Sequence, residues 1–171
     1  MENTLRDILL SQYHSTQNTT AFDGSCLREL TDDQIDKLIS YLELIKTWND
    51  RVDLVSPQMD EALVGKHLID SIVLYWWLKA IYKPDNNFAW IDVGTGAGLP
   101  GVVLSILSPA RKMYLVEPRE KRCVFLREAR RQLELENTEV IKSRIEKINP
   151  TELTPMGLAV SRALGMRDSY L

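Results

Sequence analysis

At 171 residues, with 44% hydrophobic and 26% charged side chains, the chain is long enough for one domain with a real core and is ordinary for a globular protein. A net charge of −3 gives no overall pull towards nucleic acid, and no apolar run reaches membrane-spanning length. Met1 to Asp7 lacks the basic and apolar regions of a signal peptide, and Cys26 and Cys123 lie far apart without metal-ligand spacing, so a cytoplasmic chain with reduced thiols and no bound metal is expected.

Leu5, Ile8 and Leu9 form a short helical face, and Ser15 to Ser25 is a polar loop. Thr31 to Gln34 is a capping box, after which Ile35, Leu38, Ile39, Leu42 and Ile45 repeat at helical spacing up to Trp48. Ser56-Pro57 is a second helix start, continued by Leu63, Leu68, Ile69, Ile72 and Val73 towards Leu78. Tyr75, Trp76 and Trp77 are read as core or contact aromatics rather than as a platform for a base. Lys83 to Asn87 is a turn. Residues 1–84 are therefore a helical region, expected to pack on a sheet built from 85–171 within one compact domain.

Phe88 to Val93 is a short apolar run closed at once by glycines, which predicts a buried strand. Gly94, Gly96 and Gly98 alternate, Pro100 suits a first helical turn, and Val102 to Leu107 continues as a helix. Strand, glycine loop and helix let a ligand come close to backbone. Two ligand classes use this arrangement, dinucleotides and S-adenosylmethionine. Asp92 favours the second: a carboxylate at the strand end suits the donor's ammonium group and sits badly beside a pyrophosphate. The last glycine of the literal G-x-G-x-x-G match, Gly101, also falls inside the helix rather than in the turn.

Ser108-Pro109 ends that helix, and Lys112 to Val116 is the second strand. Glu117 stands at its end, 25 residues after Asp92, where an acid accepts ribose hydroxyls. Arg119 to Leu135 is an amphipathic helix, with Val124, Phe125, Ala129 and Leu133 towards the sheet and Lys121, Arg127, Arg130, Arg131 and Glu134 outward. Thr138 to Ile141 is the third strand. Leu158 to Val160 is the fourth, running into Ser161-Arg162-Ala163. Strands alternating with helices predict an α/β fold with a parallel sheet, right-handed crossovers and ligands at the carboxyl ends of the strands. Asp92, Glu117, Glu146 and Arg162 gather there. Charge is uneven as well. Residues 1–110 hold 8 basic against 15 acidic side chains, while 111–147 hold 11 against 7, a balance of +4. Lys121, Arg122, Arg127, Arg130 and Arg131 in that basic stretch are candidates for contact with RNA phosphates.

His67-Leu-Ile-Asp70-Ser71, Asp92-Val-Gly-Thr-Gly-Ala-Gly-Leu-Pro-Gly101, Lys121-Arg122, Phe125-Leu126, Ser143-Arg144-Ile145-Glu146 and Val160-Ser161-Arg162-Ala163 follow one another in this order. From about residue 30 to about 165, the chain resembles the RsmG, or GidB, family of bacterial methyltransferases. The resemblance implies a class I S-adenosylmethionine-dependent methyltransferase, with a Rossmann-like sheet whose four strands here stand in the order 3-2-1-4. It also implies methyl transfer to N7 of a guanine in small-subunit (16S) ribosomal RNA, free or in the assembled subunit. By the same resemblance Gly94 and Leu99 contact the donor in the loop, Ile145 and Glu146 flank its adenine, and Arg162 lies beside donor and target base. His67, Asp70 and Ser71 match a further motif near the site.

The chain departs from the family in three places. Asp53-Leu54-Val55 stands where the family usually has Asn-Leu-Thr, and Glu117 where Asp is commoner. Family members also continue past the Ser-Arg-Ala strand, so the C-terminal strands are expected to be missing here, leaving the fourth strand as an edge and weakening catalysis.

The proposed chemistry suits these residues. Guanine N7 has an in-plane lone pair and no proton to lose, so alignment and exclusion of water suffice and no general base is required. Amino-group methylation would call for an Asn/Asp-Pro-Pro-aromatic run where Ser161 to Leu164 stands. Cytosine C5 chemistry would call for a cysteine after proline, and Cys123 follows Arg122. A nicotinamide-dependent dehydrogenase, a small-molecule methyltransferase and a non-catalytic form that only binds the donor stay open as alternatives.

Overall fold

Helix α1 (Asp32–Val52) starts at the capping box: the Gln34 N–H donates to Thr31 Oγ1 at 3.2 Å and the Thr31 N–H to Gln34 Oε1 at 3.0 Å. The structure, a computed structural model, describes residues 30–55, 61–81 and 88–162. The expected helical face at Leu5 to Leu9, the loop at Ser15 to Ser25, the Ser56-Pro57 cap and the turn at Lys83 to Asn87 lie outside the described residues. Helix α1 runs one turn beyond Trp48 and closes at Asp53, whose left-handed backbone (φ 49°, ψ 55°) sends its N–H back to the Asn49 carbonyl. Helix α2 (Glu61–Ile81) buries Leu68, Ile69, Ile72 and Leu78. Its aromatics divide, Trp76 buried and Trp77 47% exposed.

Four parallel strands follow: β1 (Ala89–Val93), β2 (Met113–Val116), β3 (Thr138–Ile141) and β4 (Met156–Ser161). Helices α3 (Gly101–Leu107) and α4 (Glu120–Gln132) are the first two crossovers, and two single 3₁₀ turns, Ile145–Lys147 and Pro150–Glu152, fill the third. The strand order is β3-β2-β1-β4, the order expected from the family resemblance. Asp92 is level with Leu115 on β2 and Val160 on β4, so the carboxyl ends of three strands finish together.

Alternation along the strands separates two faces. Trp90, Met113 and Leu115 join Leu38, Leu42, Ile45, Leu68, Ile72, Leu104, Phe125 and Leu126 from the four helices in one core. Each such buried side chain contributes about 1.5–3 kcal/mol. Ala89, Ile91, Tyr114 and Val116 on the other face are covered by Ile145, Ile148 and Leu153 from the 3₁₀ segment. The Tyr114 hydroxyl fastens that segment, donating to Thr154 Oγ1 and accepting the Thr154 N–H, both at 3.2 Å. Among the described residues β4 pairs only with β1 and ends the sheet. At the amino ends of the strands, Arg111 donates to the Phe88 carbonyl at 2.7 Å and lies 4.7 Å over the Trp90 ring, a structural plug.

One detail of helix α4 is corrected. Val124 is 43% exposed, while Cys123, Phe125, Leu126, Ala129 and Leu133 are buried. The buried stripe centres on Leu126, and at 100° per residue Val124 lies about 200° from it, on the solvent side. No described helix is long and apolar enough to cross a membrane.

Candidate donor and acceptor site

β1 delivers Asp92 to the helix-covered face of the sheet, where its carboxylate is fully buried. Oδ2 accepts two hydrogen bonds, from Thr95 Oγ1 at 2.6 Å and from the Gly101 N–H at 2.9 Å. Oδ1 has no partner. Burial pushes the pKa of Asp92 up to about 6, against the pull of the Thr95 and Gly101 bonds and of the Arg162 charge. An ionised, half-satisfied carboxylate in the interior is costly unless something cationic meets it. The first N–H of α3 is already given to Asp92, so a pyrophosphate would find a buried carboxylate at the helix start instead of free donors. This geometry favours a cationic ligand over a dinucleotide.

Glycines at 94, 96 and 98 all have positive φ, at 69°, 61° and 96°. They are not equivalent. A Cβ on Gly98 would lie 2.5 Å from Val102 Cγ2 and 2.8 Å from the Tyr41 hydroxyl, and one on Gly101 would lie 2.4 Å from Leu115 Cδ2. These two glycines are demanded by packing. A Cβ on Gly96 would meet nothing nearer than Arg122 Nη1 at 3.6 Å. Of Gly96, Gly98 and Gly101, it is Gly96 whose outer side is open to a ligand. Pro100 is the N-cap of α3 rather than its first residue, and Leu99 packs into the core, so the loop presents backbone rather than the Leu99 side chain.

Three elements hold this loop. Glu117, nearly buried at the end of β2, accepts the Gly96 N–H at 3.1 Å with Oε2 and the Arg119 N–H at 2.9 Å with Oε1. The Cys123 thiol donates to the Glu117 carbonyl at 3.1 Å, keeping that corner shut. From α1, the buried Tyr41 hydroxyl donates to the Ala97 carbonyl at 2.6 Å. Burial and the Asp92 charge raise the Tyr41 pKa, so the hydroxyl keeps its proton. Tyr41 was not singled out from the sequence. The available signal was a tyrosine on the Leu38–Leu42–Ile45 stripe, since a buried phenol needs a hydrogen-bond partner. Tyr41→Phe leaves the Ala97 carbonyl unpaired and is expected to lower stability by about 1–3 kcal/mol. Urea denaturation of both proteins checks this, and equal midpoints would dismiss the anchor.

Beside the loop, a cleft of about 490 Å³ opens between α2 and the end of β4. His67, Asp70, Ser71 and Leu74 form one wall, Ala159 to Arg162 the other, and Pro100 lies between them. The motif on α2 and the Ser-Arg motif are thus brought together. Ser71 Oγ donates to the His67 carbonyl at 2.8 Å, and Arg162 Nη1 reaches the same carbonyl at 3.5 Å. Burial first and Arg162 second lower the His67 pKa, so the imidazole is neutral at pH 7 and its 3.7 Å approach to Asp70 is not an ion pair. The Arg162 charge acts on Tyr41, His67 and Asp92 alike, which sets it between the cleft and the loop.

The remaining candidates are spread more widely. Ile145 is turned under the second face of the sheet and Glu146 is exposed on the 3₁₀ turn after β3. On α4, Arg127 lies 3.6 Å from Glu120, and Arg131 grips Glu128 at 2.7 and 3.0 Å. The side chains of Lys121 and Arg130 are exposed, without an ion-pair or hydrogen-bond partner among the described residues. Arg122 is half-buried and turned inward, donating from Nη2 to the Asp53 carbonyl at 2.9 Å. Among the described residues no group of His, Cys, Asp and Glu is arranged to hold a metal ion.

Residues 34–171 match the family model for rRNA small subunit methyltransferase G. The chain is similar to proteins named ribosomal RNA small subunit methyltransferase G. It is 37% identical to that of Acetivibrio thermocellus over 137 residues, covering 79% of this chain and 54% of the relative. The Dichelobacter nodosus protein is 40% identical over 137 residues, covering 80% and 61%, and that of Escherichia coli O1:K1 is 40% identical over 134, covering 78% and 60%. The chain therefore spans between half and two thirds of the length of these relatives.

Proposed function

Because the chain belongs to the rRNA small subunit methyltransferase G family, we propose that it transfers a methyl group from S-adenosylmethionine to N7 of a guanine in small-subunit ribosomal RNA. The observation that carries this reading is the unpaired, buried Asp92 Oδ1 beside an open Gly96, with the Arg162 cleft adjoining. S-adenosylmethionine, when bound, supplies a sulfonium methyl group. Asp92 offers the counter-charge for its ammonium, Gly94 and Gly96 the backbone cradle, and Glu117 the lone pairs not already used by the loop for its ribose. Ile145 and Glu146 border the adenine side. Helices α1 and α2, the described part of the N-terminal helical region, supply the wall that closes the site on that side.

The cleft takes the acceptor base. Arg162 aligns it there next to the donor, and the apolar walls at Leu74, Pro100 and Val160 exclude water. N7 has no proton to lose, so a neutral His67 and an exposed Asp70 need not act as bases. Methyl transfer to undermethylated small subunits, with mapping of the modified base, tests the assignment. Transfer only to small molecules, or binding of NAD in preference to S-adenosylmethionine, would overturn it.

RNA phosphates meet the α4 surface. The unpaired Lys121 and Arg130 are the best-placed contacts, and Arg127 and Arg131 can exchange exposed ion pairs, worth little in themselves, for phosphates. Lys121→Gln with Arg130→Gln is expected to make the fall of RNA affinity with salt shallower by about 2 in the log–log slope. A filter-binding series at several salt concentrations checks this, and an unchanged slope would leave the surface as solvated charge.

A further inference from the structure

The guanidinium of Arg122 spans two segments that are far apart in the chain. Its Nη2 donates to the Asp53 carbonyl at 2.9 Å, and its Nη1 stands 3.6 Å from where a Cβ of Gly96 would be. Asp53 is itself fixed. Its N–H returns to the Asn49 carbonyl at 3.2 Å, and the Asn49 side chain accepts the Val55 N–H at 2.9 Å. The end of α1 is thus a preformed turn, and its left-handed residue exposes a carbonyl to α4. On the other side of the loop, Glu117 accepts the Gly96 N–H. Gly96 lies between a carboxylate that holds its amide and a guanidinium that bounds its open side.

We propose that Arg122 is a positioning residue for the glycine loop, pinned by the Asp53 carbonyl so that it forms the outer wall of Gly96. The proposal deepens the reading of the loop as a donor site. It reassigns a residue whose place in a basic stretch suggested contact with RNA. The contact is to a backbone carbonyl, so it depends on the conformation at residue 53 and not on its side chain. Asp53 and the Asn usual at that place both serve, since each tolerates the left-handed region better than most residues. Lysine is a poor substitute for Arg122, because a point charge cannot both reach Asp53 and lie flat across the loop.

Hydrogen exchange read residue by residue on the free protein tests this, comparing the parent with Arg122→Ala, Arg122→Lys and Arg130→Ala. In Arg122→Ala the Gly96 and Gly98 amides are expected to exchange about tenfold faster, the worth of one charge-assisted hydrogen bond. Arg122→Lys should recover part of that protection. The β2 and β3 amides should keep theirs, and Arg130→Ala should change none of them. Unchanged loop protection in Arg122→Ala overturns the proposal, and so does an equal loss across loop and sheet, which is the mark of general destabilisation. The measurement uses no ligand. A separate calorimetric titration with S-adenosylmethionine shows whether the parent binds the donor, and a null result there counts against the proposed function alone.

Discussion

Gly98→Ala is expected to lower stability by about 3–5 kcal/mol, enough to unfold a marginal domain, through overpacking joined to left-handed strain. A methyl at Gly98 would sit 2.5 Å from Val102 Cγ2 and 2.8 Å from the Tyr41 hydroxyl, at φ 96°. Neither neighbour can retreat. Val102 is fully buried in the core, and Tyr41 is held by the Ala97 carbonyl. Gly96→Ala should behave differently. Its Cβ has room, so the cost is about 1 kcal/mol for the left-handed residue. Affinity for S-adenosylmethionine should nevertheless fall at least about tenfold, because the methyl occupies the space reserved for the ligand. Urea denaturation and calorimetric titration of both variants separate fold from site. A Gly96→Ala protein that binds the donor as tightly as the parent would show that nothing passes over this glycine.

Asp92→Asn should weaken the donor by about 1.5–3 kcal/mol while preserving the fold. The amide oxygen can take over the Thr95 and Gly101 bonds of Oδ2, and the amide nitrogen then replaces the unpaired Oδ1. What disappears is the negative charge. Its pH signature has a definite sign. The folded pKa is about 6 and the ordinary value 3.8, so the fold favours the protonated acid. Measured against Asp92→Asn, the free parent should be most stable below about pH 4 and lose about 3 kcal/mol as pH rises to about 6, with little further change above that. Donor binding runs the other way, tightening from pH 5 to 7.5 as the carboxylate ionises. Parallel stability curves for the two proteins between pH 4 and 7 would show that Asp92 is not strained by burial.

The parts legible in the sequence were those governed by local periodicity and chain direction. The capping box at Thr31, the short strands closed by glycine or an acid, and alternation of strand with helix were enough to place Asp92, Glu117 and Arg162 at one end of a parallel sheet, while its strand order came from the family resemblance. What escaped was what depends on pairs distant in sequence. Helical spacing says that Tyr41 faces inward, yet not that its hydroxyl ends on a carbonyl 56 residues later. Charge counting put Arg122 with its basic neighbours. Its inward turn follows from its place on α4 between the buried Phe125 and Leu126, one turn further on, so its long stem lies along the core edge and its head reaches Asp53. Val124 was misplaced because an apolar residue was assumed to mark the buried face, and a single valine in the open costs little. Among Gly96, Gly98 and Gly101, only the packing around each separates the two it requires from the one left open.

Because Tyr41, Asp53 and Arg122 fasten the glycine loop to α1, order in the loop and docking of that helix form a single equilibrium. Linkage then runs in both directions. A ligand that needs the ordered loop also holds α1 in place, and at about a hundred times its Kd it adds about 2.7 kcal/mol to the folded state. The free form is the one in which a protease finds α1 loosened. On the proposed function S-adenosylmethionine is such a ligand, so limited proteolysis within α1 is expected to slow when it is added to the purified protein.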